Sequence, residues 1–583
     1  MLTCSWLLVN LALAAAPGDA TTRPSADPRN VHNGWVIPDE GYCDQPYIVI
    51  RPDGAWVCTM TTGKGEEGHR GQHVVSTIST DQGRTWSPLV DIEPADGPEA
   101  SWVIPLITPG GRIYAFYDYN GDRVNTLGEK KDIRADMLGW YVYKYSDDGG
   151  QSWSKERYRL PVRVTACDRT NDWGGKVQIL WGICKPIVSQ DTAFFSFTKL
   201  GRYLLDEGEG WLFASDNILT ARNPADIRWE MLPEGDHGIR APEFGSVQEE
   251  HNIVALSNGD LYCVYRTTTG HPCHSYSCDR GRTWSKPKHM TYTPGGRKIK
   301  TPRACPRVWR TSNGKYLFWF HNHSGKTFQD RNPAWLAGGV ERDGYIHWSQ
   351  PEILLYDPKI DTRMSYPDLI EQDGRYWITE TQKEVARVHE IDASLLEGLW
   401  NQDSDRRVPT RGLVLDWKAD DAGEQDMPRL PDLRSEGGLS IHLRFRLDNL
   451  AANQVILDTR DESGKGIAVV TTKLSTLAIQ LSDGTTSATW DCDSGLLKAG
   501  RTHHVTIIVD GGPKIITFVV DGQLCDGGET RQYGWGRFSN QLGDVNGGRL
   551  KIAPSLSGRL ERVRIYNRYL RTSEAVALAQ ASD

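Results

Sequence analysis

Ser79-Thr-Asp-Gln-Gly-Arg-Thr-Trp86 is the first of three copies of one phrase, Ser-x-Asp-x-Gly-x-Thr/Ser-Trp; the others are Ser146-Asp-Asp-Gly-Gly-Gln-Ser-Trp153 and Ser277-Cys-Asp-Arg-Gly-Arg-Thr-Trp284. The aspartate can cap its own turn, the glycine can adopt a positive φ, and the tryptophan can fill a hydrophobic seam between strands. The tryptophans lie 67 and then 131 residues apart, and a degenerate copy at residues 342–348 ends 64 residues later. Such a period predicts a radial or stacked array of similar units.

A second pattern, two apolar strands joined by a tight turn, recurs along the same region. This combination is the sequence signal of a β-hairpin. Its instances are residues 46–58, 105–117, 185–197, 253–265, 306–320 and 367–378. The pattern therefore predicts six units, each built on a hairpin.

The pattern of apolar and polar residues changes from about residue 411. Residues 438–446, 502–509 and 515–522 alternate apolar and polar side chains, which is typical of half-buried antiparallel strands. Residues 401–410 are polar and are predicted to be a linker. We expect residues 411–583 to form a β-sandwich that folds alone and contributes targeting rather than catalysis.

Composition limits the function classes. At 583 residues the chain is too long for one ordinary domain, and 58 Gly and 21 Trp against 7 Met indicate many short aromatic-rich strands. A net charge of −8 without a basic block argues against a nucleic-acid partner or an anionic membrane surface. No spacing of cysteines or histidines suggests a metal site, and no cofactor is expected.

The first 20 residues are predicted to be a secretory signal. Residues 6–16 are apolar and are followed by small residues suited to cleavage, although no Lys or Arg precedes them. No later segment is apolar for long enough to span a bilayer. We expect the mature protein to be secreted or periplasmic, with its oligomeric state left open.

Ten cysteines remain after removal of this segment, an even number in an oxidising compartment. The disulfide candidates are Cys273 with Cys278 and Cys492 with Cys525. The other six are expected to be small buried hydrophobic residues: Cys43, Cys58, Cys167, Cys184, Cys263 and Cys305.

The repeated phrase is the Asp-box, and the region from residue 41 to 400 resembles the sialidase (neuraminidase) superfamily of six-bladed β-propellers. The end of the chain, residues 560–575, resembles the last strand and terminal helix of laminin-G-like, concanavalin-type jelly rolls. The two resemblances imply an all-β chain, with a six-bladed propeller at residues 30–400 and a jelly-roll sandwich at 411–583. They also imply a glycan or glycoconjugate substrate.

The sialidase resemblance implies a set of catalytic side chains. A tyrosine attacks the anomeric carbon, which bears a carboxylate, because a neutral phenol meets less charge repulsion than an Asp or Glu would, and a glutamate takes its proton. Three arginines bind the carboxylate bidentately. Carried over, the nucleophile is Tyr366, the partner base is Glu250 with Glu249 as the alternative, and two of the arginines are Arg266 and Arg331.

On the other side of the ring the family pattern fails. Asp44 stands where the family has its first arginine, and a carboxylate there would repel a substrate carboxylate or compete for the remaining arginines. Three other residues near the inner strands are candidates to supply replacement positive charge: Lys185, Arg303 and Arg307.

The general acid is also altered. The corresponding loop, residues 63–73, contains no Asp, so Glu66, Glu67 and His69 are the candidate proton donors, with Asp44 as a further alternative.

Three functions remain open from the sequence. The first is an exo-acting sialidase-like glycoside hydrolase that removes terminal sialic or related acidic sugars. The second is a hydrolase or lyase for another anionic, uronate-containing glycan, which Asp44 and the histidines of nearby loops favour: His69, His73, His321 and His323. The third is a non-catalytic glycan-binding protein.

Overall fold

The computed structural model describes residues 27–419 and 425–581. The predicted signal segment, residues 1–20, lies outside these ranges. The described chain is all-β, a six-bladed propeller followed by a jelly-roll sandwich, and both parts of this prediction are confirmed.

The propeller consists of six antiparallel sheets that follow one another along the chain. Its strands are β1 (Trp35–Ile37); β2 (Tyr42–Ile50), β3 (Trp56–Gly63), β4 (His73–Ser79) and β5 (Val90–Asp91) of blade one; β6 (Ala100–Ile107), β7 (Ile113–Tyr119), the small hairpin β8 (Thr126–Leu127) and β9 (Lys130–Lys131), β10 (Trp140–Ser146) and β11 (Tyr158–Arg159) of blade two; β12 (Leu180–Trp181), β13 (Ile187–Ser189), β14 (Thr192–Arg202), β15 (Asp206–Ser215) and β16 (Glu230–Leu232) of blade three; β17 (Gln248–Ala255), β18 (Leu261–Thr267), β19 (Cys273–Ser277) and β20 (Lys288–His289) of blade four; β21 (Arg307–Arg310), β22 (Tyr316–Phe320), β23 (Ala334–Arg342), β24 (Tyr345–Trp348) and β25 (Glu352–Leu355) of blade five; and β26 (Leu369–Gln372), β27 (Arg375–Thr381) and β28 (Ala386–Ile391) of blade six.

The ring closes through the first strand. β1 pairs antiparallel with β28, with Trp35 opposite Val388, so the start of the described chain supplies the outermost strand of the last blade. This pairing ties the start of the described chain to the last blade of the propeller.

The Asp-boxes lie at the turns between the third and fourth strands of blades one, two and four. In the first box the Asp81 carboxylate accepts the Thr85 backbone N–H at 2.9 Å and the Thr85 hydroxyl at 2.6 Å. Gly83 has φ +83° and donates its N–H to the Ser79 hydroxyl at 2.8 Å. These contacts repeat in the box that ends at Trp284, so the phrase stabilises a turn, as predicted.

The degenerate copy at residues 342–348 differs from a box. It is a two-residue hairpin in which Arg342 pairs with Tyr345, and the turn residues Asp343 and Gly344 both have positive φ, +53° and +76°. A turn with two such residues matches the twist of a hairpin, so β23 and β24 continue without the loop that the boxes require.

The jelly roll consists of two facing sheets that enclose one apolar core. Its strands are β29 (Leu413–Lys418), β30 (Gly438–Leu447), β31 (Val455–Asp458), β32 (Gly466–Thr471), β33 (Leu477–Ser482), β34 (Ser487–Asp491), β35 (Thr502–Asp510), β36 (Ile515–Val520), β37 (Gln523–Leu524), β38 (Gly536–Arg537), β39 (Lys551–Ile552) and β40 (Gly558–Tyr566). The α-helices of the described chain are α1 (Ala166–Thr170), α2 (Ala393–Trp400) and α3 (Thr572–Gln580), and 3-10 turns span Val31–Asn33, Pro224–Asp226 and Pro242–Phe244.

The sandwich packs against the propeller. Both carboxylate oxygens of Glu352, at the start of β25, are engaged: Oε2 accepts the Thr572 N–H and Oε1 the Ser573 N–H, each at 2.9 Å. These are amides of the first turn of α3, so a propeller side chain caps a sandwich helix. Buried Arg29 also pairs with Asp510 at 2.6 Å.

All ten cysteines of the described residues are free thiols, which corrects both disulfide predictions. Cys273 begins β19 and is buried, whereas Cys278 follows the same strand and is exposed; five residues of extended chain separate them by ~16 Å and put them on opposite faces. Cys492 and Cys525 are buried in the sandwich core, where their sulfurs accept backbone N–H groups. The six cysteines predicted to be buried hydrophobic residues are buried.

No helix among the described residues is long and apolar enough to cross a membrane.

Candidate functional site

Irregular inner strands form the centre of the ring. The ladders of blades one, two and four shift register at 44–47, 101–104 and 249–252, and the residues there with positive φ are Gln45, Trp102 and Glu250. Tyr366, just before the inner strand of blade six, has φ +45°. Positive φ is unfavourable for such side chains and is typical of functional sites, where bulges redirect side chains.

Tyr366 and Glu250 form a hydrogen-bonded pair at the centre of the candidate site. The Tyr366 hydroxyl donates to Glu250 Oε1 at 2.7 Å, across 116 residues of sequence, and both side chains are buried. Burial, together with the Glu250 carboxylate, raises the pKa of Tyr366 well above the ordinary value of a phenol. The pair is therefore a neutral phenol hydrogen-bonded to a carboxylate that can accept its proton.

Arg266, at the end of β18, binds two glutamates. Its Nη1 lies 2.6 Å from Glu250 Oε1, and its Nη2 lies 2.6 Å from Glu249 Oε2. Arg303 approaches the same Glu249 at 3.1 Å. Against the effect of burial, the charges of Glu250 and Glu249 raise the pKa of Arg266. Much of the positive charge of Arg266 thus neutralises protein carboxylates.

Arg331 is held differently. Its Nη1 donates to the Ser365 hydroxyl at 2.6 Å and its Nη2 to the Arg303 carbonyl at 3.2 Å, while its buried Nε has no partner. Among the ion pairs of the described chain, none involves Arg331. Burial lowers the pKa of Arg331, and the charge of Arg266 acts in the same direction. Arg331 is therefore a buried cation next to the nucleophile candidate without a carboxylate of its own.

Asp44 pairs with a residue that the sequence did not indicate. Lys383, in the loop after β27, places its Nζ 2.5 Å from Asp44 Oδ2 and 4.4 Å from the centre of the Tyr366 ring. The Tyr42 hydroxyl donates to the same carboxylate at 3.0 Å. Burial raises the pKa of Asp44 to about 6, although the charge of Lys383 opposes this. Asp44 is therefore a proton donor candidate near neutral pH.

Of the three acid candidates in the loop of residues 63–73, one reaches this cluster. Glu67 lies 2.7 Å from Arg134 Nη2 and 3.3 Å from Lys383 Nζ. Burial opposes ionisation, but the charges of Lys383 and Arg134 hold the pKa of Glu67 below its ordinary value. Glu66 and His69 are exposed and bond to each other, the Glu66 N–H lying 3.0 Å from His69 Nδ1.

Lys185 and Arg307 lie in the centre of the ring but away from Tyr366. Lys185 donates to Asp368 at 2.8 Å and to the Ile48 carbonyl at 2.6 Å. With Arg307 it lines a cavity of ≈ 530 Å³ that reaches Val188, within β13, and Ser312, in the turn after β21. Ser312 lies beyond the end of its inner strand, whereas Tyr366 precedes the inner strand of blade six. The structure thus does not bring Lys185 or Arg307 into the Tyr366 cluster.

The histidines also lie outside the cluster. His73 pairs with Asp91 at 3.3 Å. His321 approaches the Pro333 carbonyl, and His323 the Asp330 carbonyl. Burial, with the charge of Arg331, lowers the pKa of His321 well below its ordinary value, and burial lowers the pKa of His323 to about 4. Both are neutral side chains that support the loop carrying Arg331.

Sequence reasoning missed three residues around Tyr366. Trp102 lies edge-on to the Tyr366 ring, with centroids 6.0 Å apart, and its buried Nε1 has no partner. Lys383 and Arg134 come from loops after second strands. The signal for Lys383 was present, because it follows the second strand of blade six much as Arg266 ends that of blade four.

Several buried polar atoms near the centre of the ring lack hydrogen-bond partners among the described residues. They include Glu250 Oε2, Trp102 Nε1, Arg331 Nε and both carboxylate oxygens of Asp118. Burial, with Asp136 nearby, raises the pKa of Asp118 well above its ordinary value. Because buried polar groups are nearly always satisfied by protein, ordered water or ligand, this set is compatible with a site that hydrogen-bonds a polar ligand.

When Asp44 is ionised, the charges of the cluster balance. Five cations (Arg134, Arg266, Arg303, Arg331 and Lys383) face five carboxylates (Asp44, Glu67, Asp136, Glu249 and Glu250). Selectivity for an anion must therefore come from the placement of individual cations rather than from an overall positive field.

Comparisons with known proteins agree with this architecture. Residues 102–378 match the family described as BNR repeat-like domain, and residues 422–576 match the concanavalin A-like lectin/glucanases superfamily. The chain is thus a repeat propeller with a C-terminal concanavalin-like domain, as the two resemblances of the sequence implied. No curated protein matches it significantly.

Solved structures similar to this chain include sialidases. Trypanosoma rangeli sialidase in complex with sialic acid is 14% identical, with 95% of this chain and 98% of that chain covered and a TM-score of 0.44. A protein of unknown function from Dyadobacter fermentans is 16% identical, with 61% and 98% covered and a TM-score of 0.45. A Hadza microbial sialidase is 16% identical, with 61% and 66% covered and a TM-score of 0.44. The fold described above rests on the strand pairing of this chain itself.

Proposed function

We propose that this protein is an exo-acting, sialidase-like glycoside hydrolase that removes a terminal acidic sugar from a glycan. The observation that supports this most directly is the 2.7 Å hydrogen bond from the Tyr366 hydroxyl to Glu250. A phenol paired with a buried carboxylate is an activated nucleophile of the kind that covalent catalysis requires.

In the proposed reaction the Tyr366 oxygen attacks the anomeric carbon while its proton passes to Glu250. The bond from the anomeric carbon to the leaving oxygen breaks, and a general acid protonates that oxygen. The deprotonated general acid then takes a proton from a water molecule as the water oxygen attacks the anomeric carbon. The bond from that carbon to the Tyr366 oxygen breaks, and Glu250 returns its proton to the Tyr366 oxygen, which releases the sugar. Asp44 fits the general acid better than Glu67, because its pKa of about 6 keeps a substantial protonated fraction in mildly acidic solution.

For recognition of the acidic group we propose Arg331 as the main ligand. It is buried beside Tyr366, and its Nε is unsatisfied. Arg266 and Lys383 are each already paired with protein carboxylates, so they contribute less free charge. A planar guanidinium matches a carboxylate well.

A second candidate, a uronate-containing glycan, is favoured by one observation. Asp44 and its partner Lys383 occupy the side of the site where the family's first arginine is expected, so only part of a three-arginine grip exists. A sugar whose carboxylate sits at a different ring position would need fewer arginines at the anomeric carbon.

The deciding experiment is turnover of three aryl glycosides, a sialoside, a glucuronide and a neutral galactoside, by the wild-type protein and the Tyr366→Phe variant. Tyr366-dependent release from the sialoside supports the first proposal, and release from the glucuronide supports the second. Binding of an acidic sugar without any turnover would replace both with a non-catalytic lectin role.

The proposal also includes export. The apolar stretch at residues 6–16 supports cleavage near residues 16–20. N-terminal sequencing of the protein recovered outside the cytoplasm tests it.

A further inference from the structure

One segment of the sandwich crosses onto the propeller. Residues 524–537, here called the sandwich arm, connect β37 to β38 and contact the loop of residues 321–333 in blade five. That loop follows β22 and carries Arg331, so it forms one side of the candidate active site.

The arm holds both neighbours of Arg331. The Tyr533 hydroxyl donates to Asp330 Oδ2 at 2.9 Å, and Arg537 Nη2 donates to the Asn332 carbonyl at 2.6 Å. Asp330 has φ +61°, a conformation that L side chains adopt reluctantly. External hydrogen bonds on each side of Arg331 therefore fix a backbone that is unfavourable by itself.

The arm also holds the opposite limb of the loop. Trp535 Nε1 donates to the Asn322 carbonyl at 3.2 Å, and the Ser324 N–H donates to the Gln532 carbonyl at 3.1 Å. His323 and Tyr533 form an antiparallel bridge, with ring centroids 4.8 Å apart. The two ends of the loop are thus connected to each other through the sandwich arm.

Hydrogen bonds and an ion pair hold the base of the arm. Asp493 accepts the backbone N–H groups of Asp526 and Gly527 at 2.9 and 3.0 Å, and Arg531 pairs with Asp493 at 2.8 Å. From the propeller, Lys300 donates to three carbonyls of the arm, at residues 526, 528 and 531. A segment fixed to both domains can transmit its position to the loop that it holds.

We propose that the sandwich domain is a structural part of the active site, in which Tyr533 and Arg537 are positioning residues that hold Arg331 toward the acidic group of the substrate. This deepens the proposed function and rests on it for the identity of the ligand. It replaces the expectation, drawn from the polar linker, that the sandwich contributes targeting alone.

The first test does not require activity. Hydrogen exchange of the full chain is compared for wild type, Tyr533→Phe, Arg537→Met and the control Tyr345→Phe, which alters an exposed tyrosine on the outer hairpin of blade five. We expect at least ~10-fold faster exchange at residues 321–333 in the two arm variants, as local opening becomes easier. Unchanged exchange there would overturn the proposal whatever the protein does to sugars.

The second test measures binding of N-acetylneuraminic acid and of galactose by calorimetry. A merely structural role would weaken the binding of both sugars alike. Positioning of Arg331 instead predicts ~10-fold weaker binding of the acidic sugar alone. The Arg537→Lys variant should restore part of that binding. Faster exchange together with equal effects on both sugars would also overturn the positioning role. Faster exchange in a protein that turns over no glycoside would leave the support of the loop standing and remove only the hydrolase.

Discussion

Lys383 Nζ lies 2.5 Å from Asp44 Oδ2, so a cation from blade six meets a carboxylate on the inner strand of blade one. The sialidase resemblance implies an arginine at the place of Asp44, and Lys383 brings a positive charge to this point from a different blade. Lys383 also lies over the Tyr366 ring at 4.4 Å, which links the pair to the nucleophile candidate. The protonation state of Asp44 should therefore depend on Lys383.

Replacing Lys383 by Met should move the alkaline limb of the pH–rate profile upward. Lys383 opposes the rise in the pKa of Asp44 that burial causes, so its removal raises that pKa further, by about 1 to 3 units for a charge at this range. A general acid that stays protonated longer retains activity to higher pH. Profiles of kcat/KM measure this, with Lys383→Arg as the control that keeps the charge, and an unmoved limb would contradict the role of the pair.

The Asp44→Asn variant keeps the shape of the side chain and removes its proton transfer. If Asp44 is the acid, kcat/KM should fall by roughly 10²–10⁴ and the alkaline limb near pH 6 should disappear. For an aryl glycoside whose leaving group needs no protonation, kcat/KM of this variant should fall much less. Unchanged rate and profile would transfer the role to Glu67, which Glu67→Gln then tests against Glu66→Gln as the exposed control.

The propeller could be predicted because its signals are local. The box turn depends on residues within four positions of Asp81, and five of the six blades begin with a hairpin of consecutive strands. Residues 342–348 were interpreted as a degenerate box but form a tight hairpin at Asp343. One Gly and one Trp at similar spacing fit either turn. The three residues of β1 are too few to indicate from sequence that this strand pairs with blade six.

The site was predictable only in part. Tyr366, Glu250, Arg266 and Arg331 are brought together around one hydrogen bond, and their positions were inferred from resemblance. The position of Lys383 depends on the closure of the ring, which no local pattern encodes. The bulge that turns Trp102 toward Tyr366 gives it φ +62°, and a tryptophan gives no sequence hint of such a conformation.

The Tyr366→Phe variant should lose turnover by roughly 10³-fold or more, because removal of the nucleophile of a hydrolase has effects of that size or larger. Only one hydrogen bond is lost, so the free energy of unfolding should change by no more than ~1–2 kcal/mol. Tyr47→Phe is the matched control, since Tyr47 is also buried in the ring and its hydroxyl has no partner among the described residues. Turnover within a few fold of wild type would point instead to water directed by a carboxylate.

Arg266→Ala and Arg331→Ala should separate two roles that the sequence treats as equal. Arg266 pairs with two buried glutamates, so its loss leaves their charges uncompensated and should lower the free energy of unfolding by ~3–5 kcal/mol. Arg331 neutralises no carboxylate, so its loss should leave unfolding less affected and weaken binding of an acidic sugar by ~2–5 kcal/mol. Denaturant unfolding and calorimetric titration with N-acetylneuraminic acid and galactose measure the two effects. Equal weakening of galactose by Arg331→Ala would show that this side chain maintains the shape of the pocket, and the acidic group would then have to be bound by Lys383 or Arg134.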